Sequence, residues 1–157
     1  NPSAVFCIDR EKYYKYLSMA DTGTNEGIEE WIKYVLGGLK VEIDKIDNLT
    51  DYKFLKEHIL LPAIQYSLER ELITKNESLI LKTAIENQVI QASDIKFIFK
   101  DKIPSELSRQ IRKMIDKKML QPLSENSRKY VIRFDNNFLL RGIIKSLQDN
   151  NFISINN

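Results

Sequence analysis

Apolar side chains recur at helical spacing along most of this chain. In residues 10–20, 28–48 and 76–87 they return every three or four positions, which places them on one face of an α-helix. The middle segment, residues 51–75, has the same spacing around Pro62. This proline is expected to begin a new helix or to kink a continuous one, because it lacks a backbone N–H. The pattern therefore predicts a mainly helical chain.

The helix predicted over 28–48 has the longest apolar stripe, and it contains two adjacent glycines. Gly37 and Gly38 each cost about 1 kcal/mol relative to alanine in a helix interior. We therefore expect the backbone of a neighbouring element to pack closely against them. Asp9 is expected to cap the preceding helix with its carboxylate. The stripe consists of Ile28, Trp31, Ile32, Val35, Leu36 and Leu39.

A further helical pattern starts at Pro104 and runs to about residue 118. Its apolar face carries Leu107, Ile111, Met114 and Ile115, at spacing i, i+4, i+7 and i+8. Pro104 suits the first turn of a helix, where a missing N–H costs nothing, and Ser105 is expected to cap the next turn. Another helix is expected to begin at the start of the preceding segment, residues 92–99. A polar break at residues 100–102 separates this helix from the one at Pro104.

The residues that follow predict a β-hairpin. We expect the chain to turn at Gln121-Pro122, pass through a polar loop at residues 124–127 and enter a strand in which Tyr130, Ile132 and Phe134 alternate with other residues. Residues 89–90 predict a short extended segment that pairs with this hairpin, which forms the wing of the domain. Helix, turn, basic helix and hairpin together are typical of a winged helix-turn-helix. The predicted fold is mainly α, a helical N-terminal segment followed by this winged domain.

The two ends of the chain are apolar in part. In residues 1–8, Val5, Phe6 and Ile8 need a surface to pack against. Residues 136–147 predict one more amphipathic helix, and the polar tail after residue 150 is expected to pack through Phe152, Ile153 and Ile155.

The composition of the chain indicates its cellular location and the kinds of functional site that it lacks. The chain has 157 residues, 43% of them hydrophobic and 29% charged, with no apolar run near the roughly 18 residues that a membrane helix needs. We see no signal peptide and only one cysteine, Cys7, which excludes an internal disulfide and a cysteine zinc cluster. These features favour the cytoplasm and predict no membrane association. No motif for a metal, a cofactor or a nucleophilic serine is present.

Charge is distributed unevenly along the chain. Residues 1–75 contain 10 Lys and Arg against 13 Asp and Glu, whereas residues 76–157 contain 14 against 9. From residue 100 to 133 the ratio is 10 to 4, so the excess lies on the predicted helix-turn-helix and wing. Such a basic surface is the pattern expected of a protein that binds a phosphate backbone. The structural alternative is a set of lysines that only solvate an exposed face.

Two functions from different classes follow for the winged domain. In the first, the 104–118 helix enters the major groove of DNA and the 124–133 wing contacts the backbone. Arg109 and Arg112 are then the candidates for base edges, and the others are candidates for phosphates: Ser105, Ser108, Lys113, Arg128 and Lys129. In the second, the winged domain is a protein-interaction or dimerisation module that docks on an acidic protein surface or on a second copy.

The first third of the chain resembles a known family. The run Arg-Glu-Lys-Tyr-Tyr-Lys-Tyr-Leu at residues 10–17, the turn Ala-Asp-Thr-Gly at 20–23 and the helix Glu-Trp-Ile-Lys-Tyr-Val-Leu-Gly-Gly-Leu at 30–39 resemble the end of a Fic domain. Many Fic proteins carry a C-terminal winged helix-turn-helix, so the two resemblances occur in the expected order. The resemblance implies terminal helices of a Fic-like domain at 1–50, a connecting helix at 51–75 and a winged domain at 76–157.

The resemblance also implies what this segment lacks. Fic enzymes transfer AMP from ATP to a hydroxyl group, using the motif His-Pro-Phe-x-(Asp or Glu)-Gly-Asn-Gly-Arg. That motif does not occur here, and the one histidine, His58, is expected to be a half-buried structural residue. The resemblance therefore implies a non-catalytic C-terminal fragment of an AMP-transferase, without catalytic residues or cofactors. Its expected partners include the missing Fic core and, for an exposed apolar flank, a second copy. In the alternative function, the winged domain regulates the Fic domain or recruits its target.

Overall fold

The computed structural model describes residues 6, 9–135 and 137–153, and it divides the chain into two compact units, Asn1–Tyr52 and Lys53–Asn157. Six α-helices and one two-stranded antiparallel hairpin make up the regular structure of these residues. The predicted fold class, mainly α with a helical N-terminal segment and a winged helix-turn-helix, is confirmed. None of the described helices is long and apolar enough to span a bilayer.

In its described stretch from residue 9 to 52, the first unit forms α1 (Arg10–Asp21) and α2 (Asn25–Thr50). As predicted, Asp9 caps α1, and its carboxylate accepts a hydrogen bond of 2.9 Å from the backbone N–H of Lys12. The helices meet through aromatic rings, with Tyr16 stacked on Tyr34 at a centroid distance of 4.6 Å. The rings of these helices therefore pack against one another.

The close approach of the two backbones falls on Gly27, which is not one of the two glycines that were predicted to allow it. A Cβ at Gly27 would lie 2.1 Å from the carbonyl oxygen of Met19, so only glycine fits where α2 crosses α1. A Cβ at Gly37, in contrast, would meet no atom within 4 Å. The expectation of close packing at Gly37 was wrong, because this face of α2 is exposed.

The second unit begins within a helical segment that has three parts. A short turn, Tyr52–Phe54, leads into a π-helical stretch, Leu55–Leu60, and then into α3 (Leu61–Glu69). Pro62 stands in the first turn of α3, as expected for a proline that begins a helix. Since Pro62 has no N–H, the carbonyl of His58 one turn earlier accepts a side-chain hydrogen bond of 3.2 Å from Asn150 instead.

His58 differs from its prediction. Its side chain is exposed rather than half-buried, and it stacks on Phe54 at 4.4 Å between ring centroids. Phe54 also contacts the ring of Phe152 at 5.8 Å, which confirms that the C-terminal tail packs through this phenylalanine. Val5, Ile8 and Ile155, for which packing was also predicted, lie outside the described residues.

Helix α4 (Lys75–Asn87) is the first helix of the winged domain. It starts with a capping box, in which Thr74 accepts from the Glu77 N–H and Glu77 accepts from the Thr74 N–H. After α4 the predicted extended segment forms a single antiparallel bridge, Ile90 to Tyr130. This bridge ties the beginning of the domain to its wing.

The helix-turn-helix follows, and its first helix is shorter than predicted. Residues Ala92–Ile95 form a 3₁₀ turn, and the chain continues in turns to residue 101 before α5 (Pro104–Asp116) begins. Ile103 occupies the position before α5, so Ser105 lies inside the helix and does not cap it. The capping prediction was wrong because Pro104 already fills the first helical position.

The hairpin consists of β1 (Leu120–Pro122) and β2 (Tyr130–Ile132), with Leu120 opposite Ile132 and Pro122 opposite Tyr130. Gln121-Pro122 was predicted as a turn and instead forms the strand β1. Pro122 is tolerated there because it stands at the end of a short strand. The core beneath the hairpin and α5 includes fully or almost fully buried Ile80, Leu81, Ile85, Ile90, Ile95, Leu107, Ile111, Met114, Met119 and Leu120.

The last helix, α6 (Asn137–Asp149), packs on α3. A Cβ at Gly142 would lie 2.4 Å from the carbonyl oxygen of Ala63, so the two backbones are nearly in contact. At the same crossing the buried hydroxyl of Ser67 lies 2.7 Å from the carbonyl oxygen of Phe138 and 2.9 Å from that of Ala63. This packing joins the helices around Pro62 to the winged domain in one unit.

Candidate nucleic-acid interface

Helix α5 has one buried face and one charged face. Leu107, Ile111 and Met114 are 3%, 1% and 1% exposed, which confirms the predicted apolar face, and Ile115 is half-buried at its margin. An α-helix repeats every 3.6 residues, so this anchoring turns the remaining positions outward. The helix therefore presents a defined polar face to solvent.

All seven side chains that were predicted to contact DNA are exposed. Ser105, Ser108, Arg109, Arg112 and Lys113 lie on the outer face of α5, and Arg128 and Lys129 lie at the end of the wing loop. The hydroxyl of Ser108 donates a hydrogen bond of 3.1 Å to the Pro104 carbonyl, so its oxygen is held close to the helix surface. The five residues on α5 thus share the outer face of one helix, and Arg128 and Lys129 share the wing loop.

The wing loop between β1 and β2 has a defined backbone. The N–H of Leu123 donates to the carbonyl of Lys129 at 2.9 Å, and the N–H of Lys129 donates to the Ser127 hydroxyl at 3.0 Å. Asn126 takes a left-handed conformation, with φ of 60°, at the tip. These bonds fix the loop end from which Arg128 and Lys129 extend.

Over the described ranges, the five basic side chains on α5 and the wing loop have no acidic partner, and they lie close together in the sequence of the winged domain. Within the described residues, no ion pair involves Arg109, Arg112, Lys113, Arg128 or Lys129. Elsewhere, lysines pair with nearby carboxylates at 2.5 to 3.3 Å, as in Lys33–Glu29, Lys45–Glu42, Lys56–Glu86, Lys102–Glu106 and Lys117–Glu77. We call the five unpaired cations the basic surface. Their positive charge is available to an external anion.

Arg133, at the end of the predicted wing, behaves differently. Its guanidinium donates two hydrogen bonds to Asp135, at 2.5 and 2.7 Å. The pKa of Arg133 is raised by these hydrogen bonds and by the charge of Asp135, and the pKa of Asp135 is lowered by the hydrogen bonds from Arg133. Arg133 is therefore neutralised within the chain and contributes less positive field than the rest of the wing.

Two further lysines adjoin the interface and were missed by the helix pattern. Lys96 and Lys100 lie in the turns before α5, and both are exposed. Together with Pro104 and Ser108 they line an open cavity of about 590 Å³ at the start of α5. The only signal in the sequence was the local run of basic residues, because the turns that bring them to the helix have no apolar period.

The described residues do not include a group of three or more His, Cys, Asp or Glu side chains that could hold a metal ion. The chemistry of the surface is thus that of hydrogen-bond donors and positive charge. Guanidinium and ammonium groups are suited to phosphate oxygens, and two arginines on one helix are suited to the acceptor edge of guanine.

Comparison of the chain with models of protein families and with curated proteins found no match in either case.

Proposed function

We propose that the winged domain binds double-stranded DNA, with α5 in the major groove and the wing loop on the phosphate backbone. The observation that supports it is the basic surface: five exposed cations without acidic partners in the part of the chain that the structure describes, all on the helix and loop that a winged helix-turn-helix offers to DNA. Unpaired cations favour an anionic partner because no intramolecular carboxylate competes with it.

The residues have distinct roles in this proposal. Arg109 and Arg112 are three positions apart and project from neighbouring turns of α5, so their guanidinium groups address adjacent base edges. The remaining five are assigned to phosphates, where they set position rather than sequence preference: Ser105, Ser108, Lys113, Arg128 and Lys129.

A mobility-shift titration on mixed-sequence duplex tests the proposal. We expect a shift at micromolar protein in about 50 mM salt and a steep loss of affinity as salt rises, because phosphate contacts release counterions. Arg141→Ala is a matched control, since Arg141 is exposed but lies on α6, which packs on α3. Weaker binding by Lys113→Ala, which removes a side chain assigned to phosphate, with unchanged binding by Arg141→Ala supports the assigned surface.

The competing function is contact with an acidic protein surface. It predicts no salt-dependent affinity for duplex DNA at concentrations of about 10⁻⁴ M, the weak end of non-specific binding. That outcome would assign the basic surface to a protein partner.

We also propose, from the resemblance of residues 10–39, that the chain is the C-terminal region of a Fic-like AMP-transferase in the cytoplasm. What supports this proposal is the order of elements, in which a tyrosine-rich helix, a turn at Gly23, the helix that carries Trp31 and a winged helix-turn-helix follow one another. The Fic catalytic motif is absent from these 157 residues, so the proposed activity belongs to the parent protein rather than to this chain.

A further inference from the structure

The first unit does not bury enough apolar surface by itself. Among its described residues, 6 and 9–52, Gly27 is the only buried one. Ordering two helices costs conformational entropy that is normally offset by burial of an amphipathic face against another element. The unit therefore needs a further surface that covers α2.

The uncovered side chains of α2 follow the spacing of a coiled coil. Ile32, Leu36, Leu39, Ile43 and Ile46 alternate in steps of four and three, which is the seam of a heptad repeat. Four of these side chains are 48%, 58%, 56% and 61% exposed, and Leu39 is intermediate. At 3.6 residues per turn, the seam lies about 140° around α2 from the face that Gly27 turns toward α1.

We propose that this seam joins two copies of the chain in an antiparallel coiled coil. A heptad seam fits another helix of similar length with the same repeat. Helix α2 has 26 residues, whereas no other helix of the described residues exceeds 13. The matching surface on the page is therefore α2 itself, and a two-fold axis makes such a contact self-complementary.

Charges beside the seam select the antiparallel orientation. When Leu36 packs on Ile46 of the second copy, Lys33 lies opposite Asp47 of that copy, and the two-fold axis repeats this attraction at the other end. In a parallel pair with the same seam, Glu42 lies opposite Asp47 of the second copy at both ends. The parallel arrangement thus contains no attraction. Its two Glu42–Asp47 repulsions are weakened by Lys45, whose ammonium lies 2.9 Å from the Glu42 carboxylate of the same chain.

The antiparallel register also places two like pairs at the two-fold axis. On one flank of the seam, Lys40 of one chain faces Lys40 of the other chain. On the opposite flank, Glu42 of one chain faces Glu42 of the other. Glu42 is neutralised within its own chain by Lys45, whose ammonium lies 2.9 Å from the carboxylate.

Lys33 is likewise paired within its own chain, with Glu29 at 2.8 Å and Glu30 at 3.0 Å. Its ammonium has three donors, however, and can also bond Asp47 of the second copy. Each of these exposed contacts contributes little, and the pair of Lys40 side chains at the axis opposes them. The antiparallel preference rests on two such attractions, where the parallel pair has none.

Sedimentation equilibrium of the full chain tests the proposal. We expect a concentration-dependent dimer that Leu36→Glu weakens at least about tenfold, because a carboxylate then enters the apolar seam. Val41→Glu is the matched control, since Val41 is 51% exposed on the same helix but faces away from the seam. Equal weakening by both changes, or a wild-type chain that stays monomeric at all concentrations, overturns the proposal. A monomer means that a different partner, such as a Fic-like core, covers the seam.

A second variant tests orientation without touching the seam. Asp47→Lys places two lysines opposite one another in the antiparallel pair, so the dimer should weaken by a few fold and recover when Lys33→Asp is added. In a parallel pair the same change turns the repulsion with Glu42 into an attraction, so a tighter dimer contradicts the antiparallel arrangement. Circular dichroism of each variant verifies that α2 remains helical. Arg109→Ala leaves this equilibrium unchanged, so the dimer and DNA binding are tested separately.

Discussion

The carboxylate of Glu77 joins the first helix of the winged domain to the end of the proposed recognition helix. One of its oxygens lies 2.5 Å from the ammonium of Lys117, directly after α5, and the other accepts the backbone N–H of Thr74 at 2.8 Å. A single side chain thus caps α4 and holds the C-terminal end of α5 against it. The orientation of the basic surface depends in part on this contact.

This contact predicts a pH dependence of stability. Partial burial opposes ionisation of Glu77, but the hydrogen bonds from Lys117 and Thr74 outweigh it, and the net pKa lies below the ordinary value of 4.5. Because the pKa of Glu77 is lower in the folded chain, its ionised form stabilises the fold at pH values above the pKa of the unfolded chain. This stabilisation is lost as the pH falls through the pKa of the folded chain. Glu77→Gln should therefore cost about 1 kcal/mol at neutral pH and less in acid, measured by urea unfolding. Glu125→Gln, in the exposed wing loop, should change the free energy of unfolding by less than about 0.5 kcal/mol at either pH.

The two parts of the proposed DNA surface should respond differently to truncation. Arg109→Ala should cost about 1–3 kcal/mol and relax preference at one base position, because a guanidinium to guanine contact is lost. Lys129→Ala should weaken all sequences alike and reduce the salt slope by about one unit. Titrations of both variants on a selected and a scrambled duplex separate these effects. Identical behaviour of the two would contradict the assignment of Arg109 to a base.

Two glycine substitutions should change stability in opposite directions. Gly142→Ala places a methyl group 2.4 Å from the Ala63 carbonyl oxygen, so α6 has to move away from α3. We expect a loss of about 1–3 kcal/mol, as for other overpacked sites. Gly37→Ala has open space around the new methyl group and should stabilise α2 by up to about 1 kcal/mol. Thermal unfolding followed by circular dichroism measures both.

The chain should neither bind ATP nor transfer AMP. The Fic motif, which would hold the phosphates and the base of the nucleotide, is absent from the sequence. Incubation with labelled ATP and a cell lysate should leave no labelled band that depends on this chain. A band that appears with the wild-type chain and not with buffer alone contradicts the prediction.

The sequence by itself determined most of the helices and the identity of the charged face. Leu107, Ile111 and Met114 recur at helical period, and burying them leaves Arg109, Arg112 and Lys113 no position other than the outer face of α5. The bridge between Ile90 and Tyr130 was also predictable, because a short extended segment before a helix-turn-helix needs a strand to pair with. The charged face depends on local period, which neighbouring residues along the chain encode, whereas the bridge followed from the order of elements in a winged helix-turn-helix.

Only the tertiary structure decided the contacts between elements that are distant in sequence. Gly27 and Gly142, rather than Gly37, stand where backbones cross, and no local pattern distinguishes them. The sequence likewise could not separate cations with a carboxylate partner from those without one, as Lys117 is paired with Glu77, 40 positions away. Pairing depends on the packing of whole helices. The physical reason is that helix period fixes which way a side chain points, whereas the crossing of two helices fixes what it meets.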